Sequence, residues 1–130
     1  MCYTYHMVRE ENNTILRSGC SAYLILNIIA SRWTVMVLHA LQQETMRYSD
    51  LTRAIPGITQ KVLTDTLRKL ERNGIVERTI HPVVPPKVEY KLTELGHSLF
   101  KTTEMMAQWA ESNGEKVQKS RDLYDARTDQ

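Results

Sequence analysis

Residues 48–74 have the sequence YSDLTRAIPGITQKVLTDTLRKLERNG, which predicts a short helix, a tight turn and a longer helix. Ser49 is placed to cap the short helix, because serine hydroxyls accept hydrogen bonds from the free N–H groups at a helix start. Asp50 then lies in the first turn, where the helix dipole favours a carboxylate. Pro56-Gly57 should end this helix, since a residue before proline disfavours the helical conformation and glycine accepts a positive φ.

The longer helix is predicted over residues 59–73. Thr59 stands at its N-cap position, and Gly74 is the expected stop, because glycine readily adopts the left-handed conformation that ends helices. Two helices joined by a tight turn are a helix-turn-helix candidate, a motif whose second helix enters the major groove of DNA. Apolar residues at helical spacing should form the buried stripe of the longer helix: Leu63, Leu67 and Leu70.

A β-hairpin should follow this motif. Residues 75–80 and 88–92 alternate between apolar and polar side chains, which is typical of strands with one buried face. Their connection, residues 81–87, contains three prolines and should form a stiff, extended tip. We refer to residues 76–92 as the wing. Thr93 is the predicted N-cap of a final helix.

Two further helices are predicted upstream, since apolar residues repeat with helical spacing in residues 22–29 and 33–41. The chain should therefore divide into three parts: a flexible N-terminal arm (residues 1–19), a winged helix-turn-helix domain for DNA binding and dimerisation (residues 20–110), and a polar, fraying C-terminal tail (residues 111–130). The predicted fold class is mostly α with a small β-hairpin wing.

Length and composition indicate one ordinary globular domain. The chain has 130 residues, 42% of them hydrophobic, and its two cysteines, Cys2 and Cys20, are too few for a disulfide scaffold. No apolar stretch approaches the roughly 20 residues that a membrane helix needs, and no secretory signal is visible. We therefore expect a cytoplasmic protein without a membrane partner.

Positive charge is concentrated in the motif and the wing. Residues 47–91 contain nine basic and five acidic residues, although the net charge of the whole chain is only +2. A basic helix face alone is usually just solvated, but here it lies within an ordered helix, turn, helix and hairpin, which favours double-stranded DNA as the partner. The candidate base-reading residues are Thr59, Gln60, Lys61, Thr64, Asp65 and Arg68. The candidate phosphate or wing contacts are Arg47, Ser49, Arg53, Arg72, His81 and Lys87.

Several segments of the chain resemble a known family. The most specific is PVVPPKVEYKLTELG at residues 82–96, and Trp33, the run RYSDL at residues 47–51 and the turn IPGI at residues 55–58 add to it. From about residue 20 to residue 109 the chain resembles the HxlR-type winged-helix regulators, relatives of the MarR group. The resemblance implies a homodimeric bacterial transcription factor, often a repressor, with dimer contacts from terminal helices. Two-fold symmetry would then require a pseudo-palindromic operator.

A dimer of this kind needs an apolar seam on the terminal helices. The candidate seam residues are Leu24, Ile28, Leu95, Leu99, Met106 and Trp109. Some of these side chains, together with Met105, could instead line a ligand cleft, but apolar residues at this spacing more often pack in a core or an interface.

Cys20 is the candidate for redox sensing. It directly precedes the first predicted helix, where free N–H groups and the helix dipole favour a thiolate, and Arg17 could add to that effect. Some members of the family use this cysteine to sense oxidants or electrophiles, so the resemblance implies a thiol-reactive effector. The alternatives are a buried structural cysteine and a regulator switched by a small ligand.

The sequence offers no constellation for an enzyme or a metal site. Its four histidines are scattered, and it has no Cys-x-x-Cys spacing, no His-Glu-x-x-His spacing and no glycine-rich phosphate loop. We therefore expect no cofactor, no metal and no enzymatic activity. The remaining alternative to a DNA-binding regulator is a winged-helix protein-interaction module without specific DNA binding.

Overall fold

The computed structural model describes residues 21–128, and this part of the chain folds into five helices and a three-stranded sheet. The helices are α1 (Ser21–Ile29), α2 (Arg32–Leu41), α3 (Tyr48–Ala54), α4 (Gln60–Arg72) and α5 (Glu94–Thr128), and the strands are β1 (Met46–Arg47), β2 (Val76–His81) and β3 (Lys87–Leu92). The predicted fold, mostly α with a hairpin wing, is confirmed. The sequence does not predict β1, because two residues are too few to show an alternation.

The predicted helix-turn-helix is present as α3 and α4, but its first cap differs from the prediction. Ser49 lies inside α3 rather than before it, so its predicted capping role is wrong. The Asp50 carboxylate instead accepts the Arg47 backbone N–H at 3.0 Å, which satisfies a group that the helix leaves free. At α4 the prediction is confirmed, because the Thr59 hydroxyl accepts the Val62 N–H at 3.2 Å.

Both glycines predicted to end these helices adopt the left-handed conformation. The φ angle is +79° at Gly57, after α3, and +74° at Gly74, after α4. A residue with a Cβ would be strained at either place. These two positions therefore set the directions in which the chain leaves α3 and α4.

The hydrophobic core lies between α2, α3, α4 and the inner ends of β2 and β3. Leucines from the predicted stripe of α4 are buried there against apolar residues of α2. The buried apolar residues of these two helices are Leu63, Leu67, Leu70, Val37, Leu38 and Leu41. Because α4 is anchored along this whole stripe, its other side remains free to face a partner.

The sheet is antiparallel, with the strand order β1-β3-β2. Val76 pairs with Leu92 at the base of the hairpin, and His81 pairs with Lys87 at its tip. Met46 of β1 pairs with Tyr90 of β3 on the other edge. The wing is therefore joined through β1 to the start of α3.

Thr93 joins the wing to α5. Its hydroxyl accepts the Gly96 N–H at 3.0 Å, which is the predicted N-cap contact, and it shares its proton between the carbonyl oxygens of Gly74 and Ile75 at 2.5 and 3.1 Å. Gly96 is buried beside the Ile75 carbonyl group. A Cβ at residue 96 would overlap the Ile75 carbonyl oxygen and press on the Leu92 side chain, so α5 can approach this closely only because residue 96 is glycine.

The C-terminal helix is much longer than the sequence analysis indicates. Residues 111–128 belong to α5, so the prediction of a fraying tail from residue 111 is wrong. The segment is polar, but it is rich in good helix formers, and the Gln118 amide donates to the Asp122 carboxylate at 2.9 Å one turn away. At 1.5 Å per residue, α5 extends about 52 Å.

Within residues 21–128, no single helix is long and apolar enough to cross a membrane. In this part of the chain one pair of helices, Ala22–Ile29 and Arg32–Leu41, bent by 80° at the break between them, has the length and composition to do so together.

Candidate nucleic-acid interface

The side of α4 opposite its buried leucines is polar and exposed. At about 100° per residue, Lys61, Asp65 and Arg68 fall on this outward side, and all three are exposed. Gln60 is also exposed, at the first position of the helix. Three of the six candidate base-reading residues thus share the outer side of α4 and a fourth is exposed at its N-terminal end, and their contact with bases remains a prediction.

The other two candidates are engaged within the motif. Thr59 caps α4, and the Thr64 hydroxyl lies 3.0 Å from the Tyr48 hydroxyl. The Tyr48 hydroxyl also donates to the Gln60 carbonyl oxygen at 3.0 Å. Tyrosine has a single hydroxyl proton and a carbonyl oxygen can only accept, so Thr64 must donate to the Tyr48 oxygen. Thr64 can therefore offer a base only an acceptor.

The candidate phosphate contacts near α3 lie on the surface. Arg47, Ser49 and Arg53 are all exposed. The Arg53 guanidinium forms an ion pair with the Asp50 carboxylate at 2.6 Å. One oxygen of Asp50 therefore holds Arg53 while the other accepts the Arg47 N–H, so a single carboxylate orders this corner of the motif.

The two candidate contacts at the wing share one acidic partner. His81 Nε2 and Lys87 Nζ lie 2.6 and 3.4 Å from the same Glu89 carboxylate oxygen. Desolvation acts to raise the pKa of Glu89, but the hydrogen bonds and charges of Lys87 and His81 outweigh it and lower that pKa. A phosphate that binds His81 or Lys87 must therefore compete with an ionised carboxylate.

The wing is also tied to α4. The Arg78 guanidinium on β2 forms an ion pair with the Glu71 carboxylate on α4 at 3.3 Å. Between them lies a cleft of about 310 Å³, which Arg68 and Tyr90 also line. Burial in this region raises the pKa of Tyr90. These contacts bridge the wing and α4.

Arg72 does not lie with the other DNA-contact candidates. It is in the last turn of α4, about 18 Å along the helix axis from Gln60. There it lines a cavity shared with α1 and α2, together with Lys69. Its assignment as a phosphate contact thus has no support from the neighbouring residues.

The candidate seam residues fall into two groups. Leu24, Leu95, Met106 and Trp109 are exposed, and Trp109 retains 61% of its accessible surface. Ile28 and Leu99 instead pack partly against the core of their own chain. On α5 the exposed apolar residues continue beyond the predicted domain end and form what we call the α5 stripe: Leu95, Met106, Trp109, Val117 and Tyr124.

Cys20 and the predicted arm, residues 1–19, lie outside the described residues. The structure therefore does not test the redox assignment of Cys20 or the role of the arm.

Comparison with known proteins places this fold and site in a family. The model of HxlR-like helix-turn-helix proteins matches residues 28–118, which include α2, α3, α4 and the wing. The chain belongs to the HxlR-like helix-turn-helix family. The resemblance inferred from the sequence is confirmed, and this HxlR-like protein is a transcriptional regulator with a helix-turn-helix domain.

Its relatives match over most of their length. The HTH-type transcriptional regulator YtfH of Escherichia coli K12 is 42% identical over 113 residues, which cover 87% of this chain and 89% of YtfH. The solved structure of the regulator ytfH from Salmonella typhimurium is 38% identical, has a TM-score of 0.75 and covers 82% of this chain and 96% of its own. A structure of the redox regulator HypR in its oxidized form is 39% identical, with a TM-score of 0.65, and covers 72% of this chain and 97% of its own.

The sequence analysis does not identify the residues that hold the interface in place. Tyr48 bridges α3 to α4, and the Arg78–Glu71 pair bridges the wing to α4. Tyr48 belongs to the RYSDL run that contributes to the family resemblance, and this was the signal in the sequence that could have pointed to it. Arg78 and Glu71 are seven residues apart along the chain and lie on different elements on either side of Gly74, and no local pattern indicates their contact.

Proposed function

We propose that this HxlR-like protein is a repressor that binds a pseudo-palindromic operator as a homodimer. Residues 59–73 act as the recognition helix and residues 76–92 as the wing. The proposal depends on one observation: the exposed polar face of α4 lies beside a wing that the Arg78–Glu71 pair holds against the same helix. Such a unit can enter a major groove and touch the adjacent backbone at once. It would act in the cytoplasm, without a cofactor.

The exposed residues of α4 divide by chemistry into base and backbone contacts. Gln60 presents an amide suited to adenine, and Lys61 and Arg68 present donors suited to guanine. Asp65 can accept from a cytosine amino group. Arg47, Arg53 and Lys87 would contact phosphates, which position the protein without reading sequence.

The length and surface of α5 support the proposed dimer. Residues 111–128 are helical, and the α5 stripe continues along them. Most helical stability in proteins comes from packing an apolar face against another surface, and within the single chain the α5 stripe is exposed. A second copy fits best, because the members of the stripe lie on one face of α5 and two-fold symmetry would pair that face with itself.

The dimer is tested by replacing one residue of the α5 stripe. Trp109→Glu should convert the protein to a monomer in multi-angle light scattering, because a charge would be buried in the seam. Gln108→Glu, a neighbouring substitution on another face of the same helix, should leave the dimer intact. A wild-type chain that is monomeric at micromolar concentration would refute the dimer.

DNA binding is tested by fluorescence anisotropy of the reduced protein on DNA from upstream of its own gene, across a salt series. Tight binding that falls steeply as salt rises would establish several phosphate contacts, at about 0.9 in log–log slope for each. The half-sites should lie about 34–36 Å apart, or a multiple of that distance. Binding no tighter than to random duplexes across all upstream fragments of the genome would instead favour a protein-interaction module.

We further propose that Cys20 makes the repressor responsive to oxidants or electrophiles. The support is chemical: a thiol directly before α1 is close in sequence to the positive end of a helix dipole. In addition, a relative of similar fold is described as a redox regulator. Mild oxidation should release DNA from the wild type, and reductant should restore binding. A Cys20→Ser variant that is released by the same oxidant would end this proposal and favour a small-ligand switch.

A further inference from the structure

A second cavity lies away from the DNA-contact face. It has a volume of about 400 Å³, opens to solvent and is lined by residues of α1, α2 and the C-terminal half of α4. This volume falls within the range of about 300–1,000 Å³ that is typical of small-molecule sites. Leu24 and Ile28 supply an apolar wall from α1, while the opposite wall is polar. The cavity therefore has the two-sided lining that an amphipathic ligand requires.

The polar wall contains two buried hydroxyl groups. Thr34 on α2 is 3% exposed and Thr66 on α4 is 8% exposed, and both line the cavity. Within residues 21–128, no hydrogen bond joins either hydroxyl to another group. By contrast, Ser31 and Asn73, which line the same cavity, are engaged with backbone groups. Buried hydroxyls are normally hydrogen-bonded, so an acceptor inside the cavity would complete these two.

Positive charge lies at the edge of the same space. Lys69 and Arg72 are on successive turns of α4, and both line the cavity. In the described part of the chain neither forms an ion pair, and no acidic side chain is among the residues that line this cavity. The site is thus complementary to an anion rather than to a neutral or cationic molecule.

We propose that this cavity binds a small organic acid with an apolar ring. The carboxylate would pair with Lys69 and Arg72, the ring would pack against Leu24 and Ile28, and an acceptor group would bond the buried threonine hydroxyls. One consequence rests on the proposed function. Leu24 belongs to the proposed dimer surface and α4 is the proposed recognition helix, so an occupant would change the position of α4 relative to the dimer and alter operator affinity.

The test measures binding to the full-length chain in the absence of DNA. Isothermal titration calorimetry would compare 1-naphthoate with 1-naphthamide, which keeps the rings but lacks the charge. The acid should bind at one molecule per chain, and the amide about tenfold more weakly or not at all. Equal affinity of acid and amide, or no binding of the acid at millimolar concentration, would overturn the proposal.

Variants locate the site. Lys69→Gln should weaken naphthoate binding about tenfold, and Thr66→Val, which keeps the side-chain shape, should weaken it several-fold. Lys101→Gln on α5, which removes an exposed charge outside the cavity, is the matched control and should bind as the wild type does. If Lys69→Gln binds as tightly as the control, the cavity is not the site.

A separate titration follows the operator complex by anisotropy as naphthoate is added. A shift in operator affinity that Lys69→Gln abolishes would establish the regulatory consequence. Calorimetric binding without any shift would support the site and refute its regulatory role. Absence of operator binding by the ligand-free protein would refute the proposed function, while the calorimetric result would still decide the ligand site.

Discussion

Gly96 provides the sharpest test of how α5 is docked on the domain. Replacing it with alanine places a Cβ against the Ile75 carbonyl oxygen, with the Leu92 side chain on its other side. The carbonyl is part of the backbone and accepts both the N–H and the hydroxyl of Thr93 at 3.1 Å. It cannot move without weakening those bonds, so Gly96→Ala should push α5 away from the end of α4.

The magnitude follows from three contributions. Alanine gains about 1 kcal/mol over glycine in a helix interior, which is an upper bound for residue 96 in the first turn of α5. Overpacking a buried site typically costs about 1–3 kcal/mol. Weakening two hydrogen bonds costs about 0.5–1.5 kcal/mol each. The net effect is a loss of about 3 kcal/mol in the free energy of unfolding, at the severe end of single substitutions.

Gly114→Ala is the matched control. Residue 114 lies in the same helix, and a Cβ there would meet nothing within 4 Å. This variant should gain up to about 1 kcal/mol from helix propensity alone. Urea unfolding followed by circular dichroism, at one protein concentration because a dimer's stability depends on it, would measure both. If Gly96→Ala is as stable as Gly114→Ala, the close docking of α5 on Ile75 is wrong.

Three further predictions concern the interface. Tyr48→Phe should lower the free energy of unfolding by about 1–2 kcal/mol, because it removes two hydrogen bonds to α4; an unchanged urea midpoint would contradict this. The pKa of Glu89 is lowered in the folded protein, so its contribution to stability is present above its unfolded pKa and is lost as the pH falls through its folded pKa. Glu89→Gln should therefore reduce the loss of thermal stability below about pH 4.5. A pH dependence identical to that of the wild type would refute this prediction. Arg68→Ala should cost about 1–3 kcal/mol of operator-binding free energy and relax the specificity at one base position. Lys87→Ala should weaken binding to all DNA sequences alike and lower the salt slope by about 1. If Arg68→Ala weakens binding equally across a panel of operator variants, Arg68 is a phosphate contact.

Local patterns predict the elements of this protein well. The stripe of Leu63, Leu67 and Leu70 and the cap at Thr59 place α4 within a residue of its observed ends, because both depend only on neighbours along the chain. Ser49 shows the limit of this reasoning. Serine is a favoured cap, but Asp50 spans the helix start with a charged acceptor, and the sequence does not show which side chain will reach the free N–H.

Contacts between elements could not be predicted in the same way. The bond between Tyr48 and Thr64 spans 16 residues, and the pairing of His81 and Lys87 with Glu89 depends on the hairpin register. The prediction of a fraying tail from residue 111 is wrong, because the polar composition of this segment hides the helical spacing of Val117 and Tyr124. The spacing of apolar residues along the chain is therefore a better predictor of a helix than the overall polarity of the segment.

The ion pairs distinguish two kinds of cation in the proposed DNA interface, those that pair with a carboxylate of the protein and those that do not. In residues 21–128, Arg53 near α3 pairs with the Asp50 carboxylate and Lys87 on the wing pairs with the Glu89 carboxylate, whereas the Arg47 guanidinium forms no ion pair. Lys61 on the outer face of α4 forms no such pair in the same range.

A phosphate that binds a paired cation replaces one anion with another, so the net gain is small. A phosphate or base that binds an unpaired cation gains the whole interaction. The paired cations Arg53 and Lys87 should therefore contribute more to the register of the protein on DNA than to its affinity, while unpaired cations such as Arg47 and Lys61 supply more of the affinity. A positively charged wing can then hold its shape in the free protein and still release DNA readily.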